Sequence, residues 1–236
     1  MQTYRYDGKI LTLYSLIGVG DYCIDYALKK EEFNLPVVIS EGVKDCSRMF
    51  ADCSSFNQPV VIPNSVKSCD DMFTGCSSFN QPVIIPDSVT QCSRMFWNCK
   101  SFNSPVILPD SVMRCGCMFG GCSNFNQPIV LPNRIKSCYC IFWNCVSFNQ
   151  HITIPDSVTN CSTMFAGCIS FNQPVTIPEG VEKCDSMFDT CLSLKQQIRI
   201  PDSAVVCEDV FKKCPGYFDD VTRVYTPSNH EETSLF

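Results

Sequence analysis

The apolar positions of this chain recur every 23 residues. Phe56-Asn57-Gln58-Pro59 returns as Phe79-Asn80-Gln81-Pro82, and the same register starts units at Phe33, Phe56, Phe79, Phe102, Phe125, Phe148, Phe171 and Leu194. Eight such units fill residues 33–216 without insertion or deletion, and read F-N-Q-P-V-V-I-P-D-S-V-x-x-C-x-x-M-F-x-x-C-x-S, positions 1 to 23. Uninterrupted self-similarity of this length predicts a solenoid, in which each unit buries its apolar face only against its neighbours.

Two shorter periods run within each unit. Positions 5 to 7 (Val60-Val61-Ile62, Val83-Ile84-Ile85) are β-branched and bracketed by prolines, which predicts a three-residue strand. Position 7 is always Ile or Leu and reads as core-facing, so position 6 points outward. A Pro-Asp-Ser start such as Pro86-Asp87-Ser88 follows, in which Asp or Ser can cap exposed N–H groups. Apolar residues then fall at positions 11, 14, 17, 18 and 21, for example Val89, Cys92, Met95, Phe96 and Cys99, which predicts one stripe of a short helix. Each coil is therefore expected to run strand, turn, helix, turn. The fold class is an α/β repeat: a right-handed solenoid with short parallel strands on one face and short helices on the other.

Phenylalanine supplies the core. Position 1 is Phe from Phe33 to Phe171, and position 18 is Phe from Phe50 to Phe211; together these columns hold 15 of the 17 Phe. An Asn column at position 2, from Asn34 to Asn172, is placed to bond backbone groups from one coil to the next. Residues 1–32 read as a degenerate N-terminal capping coil, with Cys23 in the expected column, and residues 217–236 as a C-terminal cap and tail. The alternating stretch 217–225 suits a closing strand.

Segments such as Ile85-Pro86-Asp87-Ser88-Val89-Thr90 and Phe96-x-x-Cys99 on this period resemble the BspA-like class of leucine-rich repeats. The resemblance covers about 33–216, with Cys at position 14 and Phe in place of the usual Leu. It implies a curved solenoid used for adhesion or protein recognition, without catalysis.

Composition narrows the function. The chain of 236 residues is 45% hydrophobic and 18% charged with a net charge of −6, which fits an apolar-cored fold and offers no basic stripe for nucleic acid. No apolar run is long enough to span a membrane, and the start lacks the pattern of a secretory signal. No Ser/His/Asp or Cys/His set and no phosphate loop can be proposed from spacing, so no enzyme, cofactor or metal is expected.

Of the 19 Cys, 16 stand at positions 14 and 21. A disulfide ladder or zinc sites compete with a plainer reading, in which the thiols act as small buried hydrophobes. Free thiols favour a reducing compartment, so a cytoplasmic location is expected, with a cell or virion surface as the alternative.

Two candidate partner sites remain. The middle repeats carry Trp97, Met113, Cys117, Tyr139, Cys140 and Trp143 at outward positions where other units hold charged or polar residues. The strand face presents Val61, Ile84, Ile107 and Val130, continued at one end by Val38 and giving way at the other to Thr153, Thr176 and Arg199. The expected function is a non-catalytic protein-binding solenoid, an intracellular binder or inhibitor of another protein. The alternative is an adhesion or surface module. Redox sensing through Cys117 and Cys140 is a third class, and end-to-end or face-to-face self-association is open.

Overall fold

A computed structural model describes residues 2–15, 17–215 and 224–225, with the side chains of Asp21, Ile24, Val224 and Tyr225 excepted. The chain enters through an antiparallel hairpin, β1 (Tyr4–Tyr6) and β2 (Leu11–Leu13), followed by helix α1 (Gly18–Asp25) and a single 3₁₀ turn at Lys30–Glu32. Leu11 and Leu13 are fully buried, and β2 pairs in parallel with β3 (Val37–Ile39), so this first segment sits on the end of the stack. Tyr22 of α1 closes over Phe33 with ring centroids 6.1 Å apart, capping the aromatic core.

The repeats stack coil on coil, with positions 5 and 7 turned inward and position 6 outward. Among the described residues of the repeats, strand pairing beyond β3 is kept at β4 (Val83–Ile84), β5 (Val106–Ile107) and β6 (Ile198–Arg199). β4 and β5 are parallel, while β6 pairs antiparallel with β7 (Val224–Tyr225). The remainder of the expected closing strand and tail lies outside the described residues. The continuous parallel sheet is thus held in fragments. Prolines on both sides of the three-residue segment, such as Pro82 and Pro86, remove the flanking N–H donors and cut the ladder short.

The expected helices at positions 14 to 21 are not there. Every second residue instead donates its N–H to the next coil: Cys46 to Ser68 O (2.9 Å), Arg48 to Asp70 O (2.9 Å), Phe50 to Met72 O (2.9 Å) and Asp52 to Thr74 O (2.7 Å). The residues between them close tight turns within the coil, Met49 to Cys46 O and Ala51 to Arg48 O. Positions 16 and 20 adopt left-handed backbone, as at Arg48 (φ 60°) and Asp52 (φ 66°), and again at Arg94 (φ 52°) and Asn98 (φ 59°). An α-helix needs right-handed dihedrals throughout and bonds to residue i−4, so two left-handed residues per unit exclude it. Position 20 reads Asp, Gly, Asn, Gly, Asn, Gly, Thr, Lys, a column rich in the types that tolerate that region.

Two columns of rings fill the core as a zigzag. Phe73 stacks on Phe79 of the following coil (4.3 Å, 13°) and on Phe96 (5.7 Å, 4°), and the pattern continues from Phe33 to Phe211. The rings from Phe33 to Phe188 are fully buried, each worth roughly 1.5–3 kcal/mol from burial. Asparagine side chains lock the edge: Asn34 Oδ1 accepts from the N–H of Asn57 at 2.9 Å, and the ladder runs on to Lys195, whose N–H donates to Asn172 Oδ1 at 2.8 Å. The position 10 serines do not cap a helix. Ser65, Ser88 and Ser111 each donate Oγ–H to the position 11 carbonyl of the preceding coil at 2.7 Å.

Candidate functional site

The strand face carries the first surface. Alternation along positions 5 to 7 buries Val60 and Ile62 and leaves Val61 82% exposed, a pattern repeated at Ile84 (82%), Ile107 (79%) and Val130 (85%). Val38 is half exposed at the N-terminal end of the row. Beyond Val130 the same column becomes polar: Thr153 and Thr176 are exposed, and Arg199 makes an ion pair with Glu179. One half of the face is therefore an apolar stripe of β-branched side chains in register.

The second surface, in the middle repeats, divides. Trp97 and Trp143 come from coils two apart, yet their rings stack in parallel at 5.2 Å. The coil between them has Gly120 in the same column, and a Cβ there would lie 2.2 Å from Trp97 Cζ3. The glycine makes the room in which the two rings meet, and both indoles are half-buried rather than freely displayed. Met113 (50% exposed) and Tyr139 (46% exposed) instead flank a cleft of about 690 Å³ whose walls also present Arg114, Lys136 and Gln91.

This cleft coincides with a fault in the stack. Single-residue parallel bridges join position 13 from Asp45 through Ser68 and Gln91 to Arg114, and from Ser137 through Asn160 and Lys183 to Val206. Among the described residues, no bridge joins Arg114 to Ser137. The matching N–H bond from Cys115 to Ser137 O is missing too, as is that from Lys136 to Met113 O. Two departures from the repeat stand beside it in the unit 125–147. Arg134 replaces the serine that would hold the Val112 carbonyl, and Ile135 replaces the position 11 valine. The Ile135 N–H reaches Pro132 O at only 3.4 Å, against 3.0 Å for Val112 to Pro109 O and Val158 to Pro155 O, so the larger side chain opens the turn. The Gly180 unit also lacks the serine but keeps its ladder, so loss of the serine alone does not break the stack.

Cys117 and Cys140 sit beside the cleft, in the same column on adjacent coils, both with left-handed backbone (φ 59° and 55°). The expectation that both are exposed is corrected: Cys117 is half-buried and Cys140 is 8% exposed. Facing Cys140 Sγ are the Cys117 thiol, the Thr163 hydroxyl at 2.9 Å and the Tyr139 phenol. These donors, Cys117 foremost, outweigh burial and hold the Cys140 thiol below its ordinary range, while Cys117 is pushed upward by the same contact. Thr163 Oγ1 also lies 2.7 Å from Ser162 O, so its single proton can serve either neighbour.

The buried cysteine columns behave differently. Each position 21 thiol from Cys76 to Cys214 points at the carbonyl of the position 18 Phe one coil earlier, as Cys99 does to Phe73 O at 3.0 Å and Cys122 to Phe96 O at 2.9 Å. These thiols are donors as well as hydrophobes, a role that periodicity alone did not signal. Burial raises those from Cys53 to Cys168 well above the ordinary thiol range, Cys53 to about 12, while at the end of the column the contact between Cys191 and Cys214 raises the first and lowers the second. Among the described residues, no cluster of three His, Cys, Asp or Glu side chains is placed to hold a metal, and no helix is long and apolar enough to cross a membrane.

The family model described as "Mycoplasma protein of unknown function, DUF285" matches the chain over residues 34–130, 84–174 and 132–224. Among solved structures, a leucine-rich repeat protein from Bacteroides ovatus ATCC 8483 is similar at 22% identity and a TM-score of 0.55, over 75% of this chain and 52% of that one. The chain thus spans about half the length of that relative, and the likeness shows the fold: a leucine-rich repeat solenoid of the BspA-like kind. A leucine-rich repeat protein from T. pallidum gives 17% identity and a TM-score of 0.41, covering 82% of this chain and 87% of that one. A leucine-rich cell surface protein from Faecalibacterium prausnitzii A2-165 gives 16% and 0.35, covering 91% and 78%. No curated protein matches the sequence.

Proposed function

Because the chain belongs to the DUF285 family and folds as a leucine-rich repeat solenoid, we propose that it is a non-catalytic binder of another protein, held on the apolar half of its strand face. The observation that carries this reading is the row Val61, Ile84, Ile107 and Val130, each about four-fifths exposed and spaced by one coil. A solvated sheet face normally alternates to polar side chains, and an exposed row of β-branched residues on a rigid stack is a ready-made contact surface. A partner presenting a complementary apolar edge removes this row from water. The Met113–Tyr139 cleft, with Arg114 and Lys136 at its wall, serves as a second and more polar contact.

The intracellular placement of this binder is supported by the position 21 thiols, which fit the reduced form because each has a carbonyl to donate to. The test compares an Ile84→Lys/Ile107→Lys double variant with wild type by quantitative affinity capture, after circular dichroism has shown equal folding. A partner retained by wild type and by Thr153→Lys, yet lost by the double variant, supports the stripe. Equal capture by all three forms places binding elsewhere.

A further inference from the structure

We propose that Cys117 and Cys140 form a peroxide-oxidisable thiol pair that closes to a disulfide between the fourth and fifth coils, beside the cleft. Their placement brings the two residues side by side. Both occupy position 16, both backbones are left-handed, and the Cys117 N–H donates to Tyr139 O at 2.9 Å, so the two coils run in register at this level. Adjacent coils at roughly 4.8 Å spacing put Cα atoms inside the about 4.4–6.8 Å range of disulfides, and parallel Cα–Cβ directions leave the Cβ atoms near that same spacing, so the coils must approach slightly for the Cβ atoms to reach about 3.5–4.5 Å.

Selectivity over the position 21 thiols follows from what each sulfur touches, and over the position 14 thiols from Cys46 to Cys184 from their complete burial. The position 21 thiols donate to backbone carbonyls in the core, and Cys191 and Cys214, although neighbours, are both so engaged, with Phe165 O and Phe188 O. Cys117 and Cys140 have no such carbonyl partner. They face each other, the Thr163 hydroxyl and the Tyr139 phenol, with the Arg94 guanidinium acting on Cys117 and the Arg94 partner Asp71 opposing it. The donors around Cys140 favour its thiolate, the reactive form, and the half-buried Cys117 beside an open cleft gives a small oxidant a way in. The missing backbone bonds one step away, at Cys115 and Lys136, leave the two coils free to make the small adjustment that bond formation needs.

The chemistry balances with hydrogen peroxide as the oxidant. The Cys140 thiol gives up its proton, the thiolate attacks one peroxide oxygen, an S–O bond forms, the O–O bond breaks, and the departing hydroxide takes up the proton that Cys140 released, leaving as water. Cys140 is then a sulfenic acid, oxidised by two electrons. The Cys117 sulfur attacks it, the S–S bond forms, the S–O bond breaks, and water departs with the Cys117 proton. Two thiols and one peroxide yield one disulfide and two waters.

The full chain, reduced and then freed of reductant, is treated with one equivalent of hydrogen peroxide, quenched with N-ethylmaleimide, and mapped by tandem mass spectrometry. The expected result is a first cross-link joining Cys117 to Cys140, two hydrogens lighter, with the position 14 and 21 thiols still alkylated after denaturation. In Cys117→Ser the sulfenic acid on Cys140 persists and is trapped by dimedone. The oxidised wild type also melts several degrees higher. A first disulfide within the buried columns, or oxidation spread evenly over all thiols, overturns the assignment, and the wild-type map decides it even where a variant folds poorly.

Discussion

The indole rings of Trp97 and Trp143 lie 1° from parallel at 5.2 Å although their coils are separated by a whole repeat, and Gly120 is the residue over which they meet. The two rings tile the flank of the stack, with the glycine as their gap. Replacing Gly120 by Ala puts a methyl into the space occupied by Trp97, since the ideal Cβ is 2.2 Å from Cζ3 and 2.4 Å from Cε3. Backbone strain is not at issue, because Gly120 is not among the residues with positive φ. Overpacking of this kind costs about 1–3 kcal/mol. The exciton signal of the stacked indoles in circular dichroism should weaken, and the urea midpoint should fall. An unchanged spectrum would falsify the tiling.

The stacked phenylalanines predict a gradient of mutational cost along the array. Phe119 has rings on both sides, Phe96 at 5.7 Å and Phe142 at 5.8 Å, and is fully buried. Phe211 lies at the end of the described stack, against Phe188, and is only partly buried. Phe119→Ala should cost about 3–5 kcal/mol and Phe211→Ala clearly less, because a partly buried ring gives up less apolar area and leaves a smaller cavity. Equal losses in chemical denaturation would contradict the link between burial and cost.

The repeat, its register and the inward and outward columns were legible because period and burial are written in the same residues. Val61 and Ile84 could be placed outside, and Phe50 and Phe73 inside, from alternation and spacing alone. The helix was misread because the offsets of Val89, Cys92, Met95, Phe96 and Cys99 suit one face of a helix and equally suit turns stacked on identical neighbours. The deciding information sat in position 20, where Asp52, Gly75, Asn98 and Gly121 mark left-handed backbone. The middle patch was found as a set of unusual residues, but its division was not. Only the three-dimensional stack shows that Gly120 brings the tryptophans together, or that Arg134 and Ile135 stand beside the fault at the Tyr139 cleft.

The buried thiols make the fold sensitive to alkali. Desolvation pushes Cys46, Cys53 and Cys115 from an ordinary 9.0 up to about 12. Between those values the unfolded chain has released these protons and the folded one has not. The unfolded state then binds fewer protons, so stability, intact below pH 9, falls as pH rises. The slope is about 1.4 kcal/mol per pH unit for each thiol, and these three alone amount to about 6 kcal/mol by pH 10.5. Circular dichroism in the presence of reductant should show unfolding between about pH 9 and 11. Cys46→Val/Cys115→Val, which removes two of the ionisable groups and keeps apolar volume, should move the transition upward. A chain that stays folded to pH 12 would show that burial does not set these thiols.

Closing the fault between Arg114 and Ser137 should stabilise the stack and erase the cleft. On either side of it the serine bond is intact, Ser111 to Val89 O at 2.7 Å and Ser157 to Ile135 O at 2.6 Å. Arg134→Ser supplies the same donor to the Val112 carbonyl, and Ile135→Val restores the smaller side chain under the turn. The double variant lets the Cys115 and Lys136 N–H groups reach Ser137 O and Met113 O, as their counterparts Cys92 and Thr159 reach Arg114 O and Lys136 O, both at 2.9 Å. Each recovered bond is worth about 0.5–1.5 kcal/mol. Hydrogen exchange should therefore slow at Cys115 and Lys136, amides that exchange faster in the wild type than their neighbours one coil away, and the thermal midpoint should rise. Arg134→Ser alone should recover only part of the protection, because Ile135 still holds the turn open. If Ile135→Val alone restores both amides, the side chain rather than the lost serine is the cause of the fault; if neither amide responds to the double change, these two residues do not cause it.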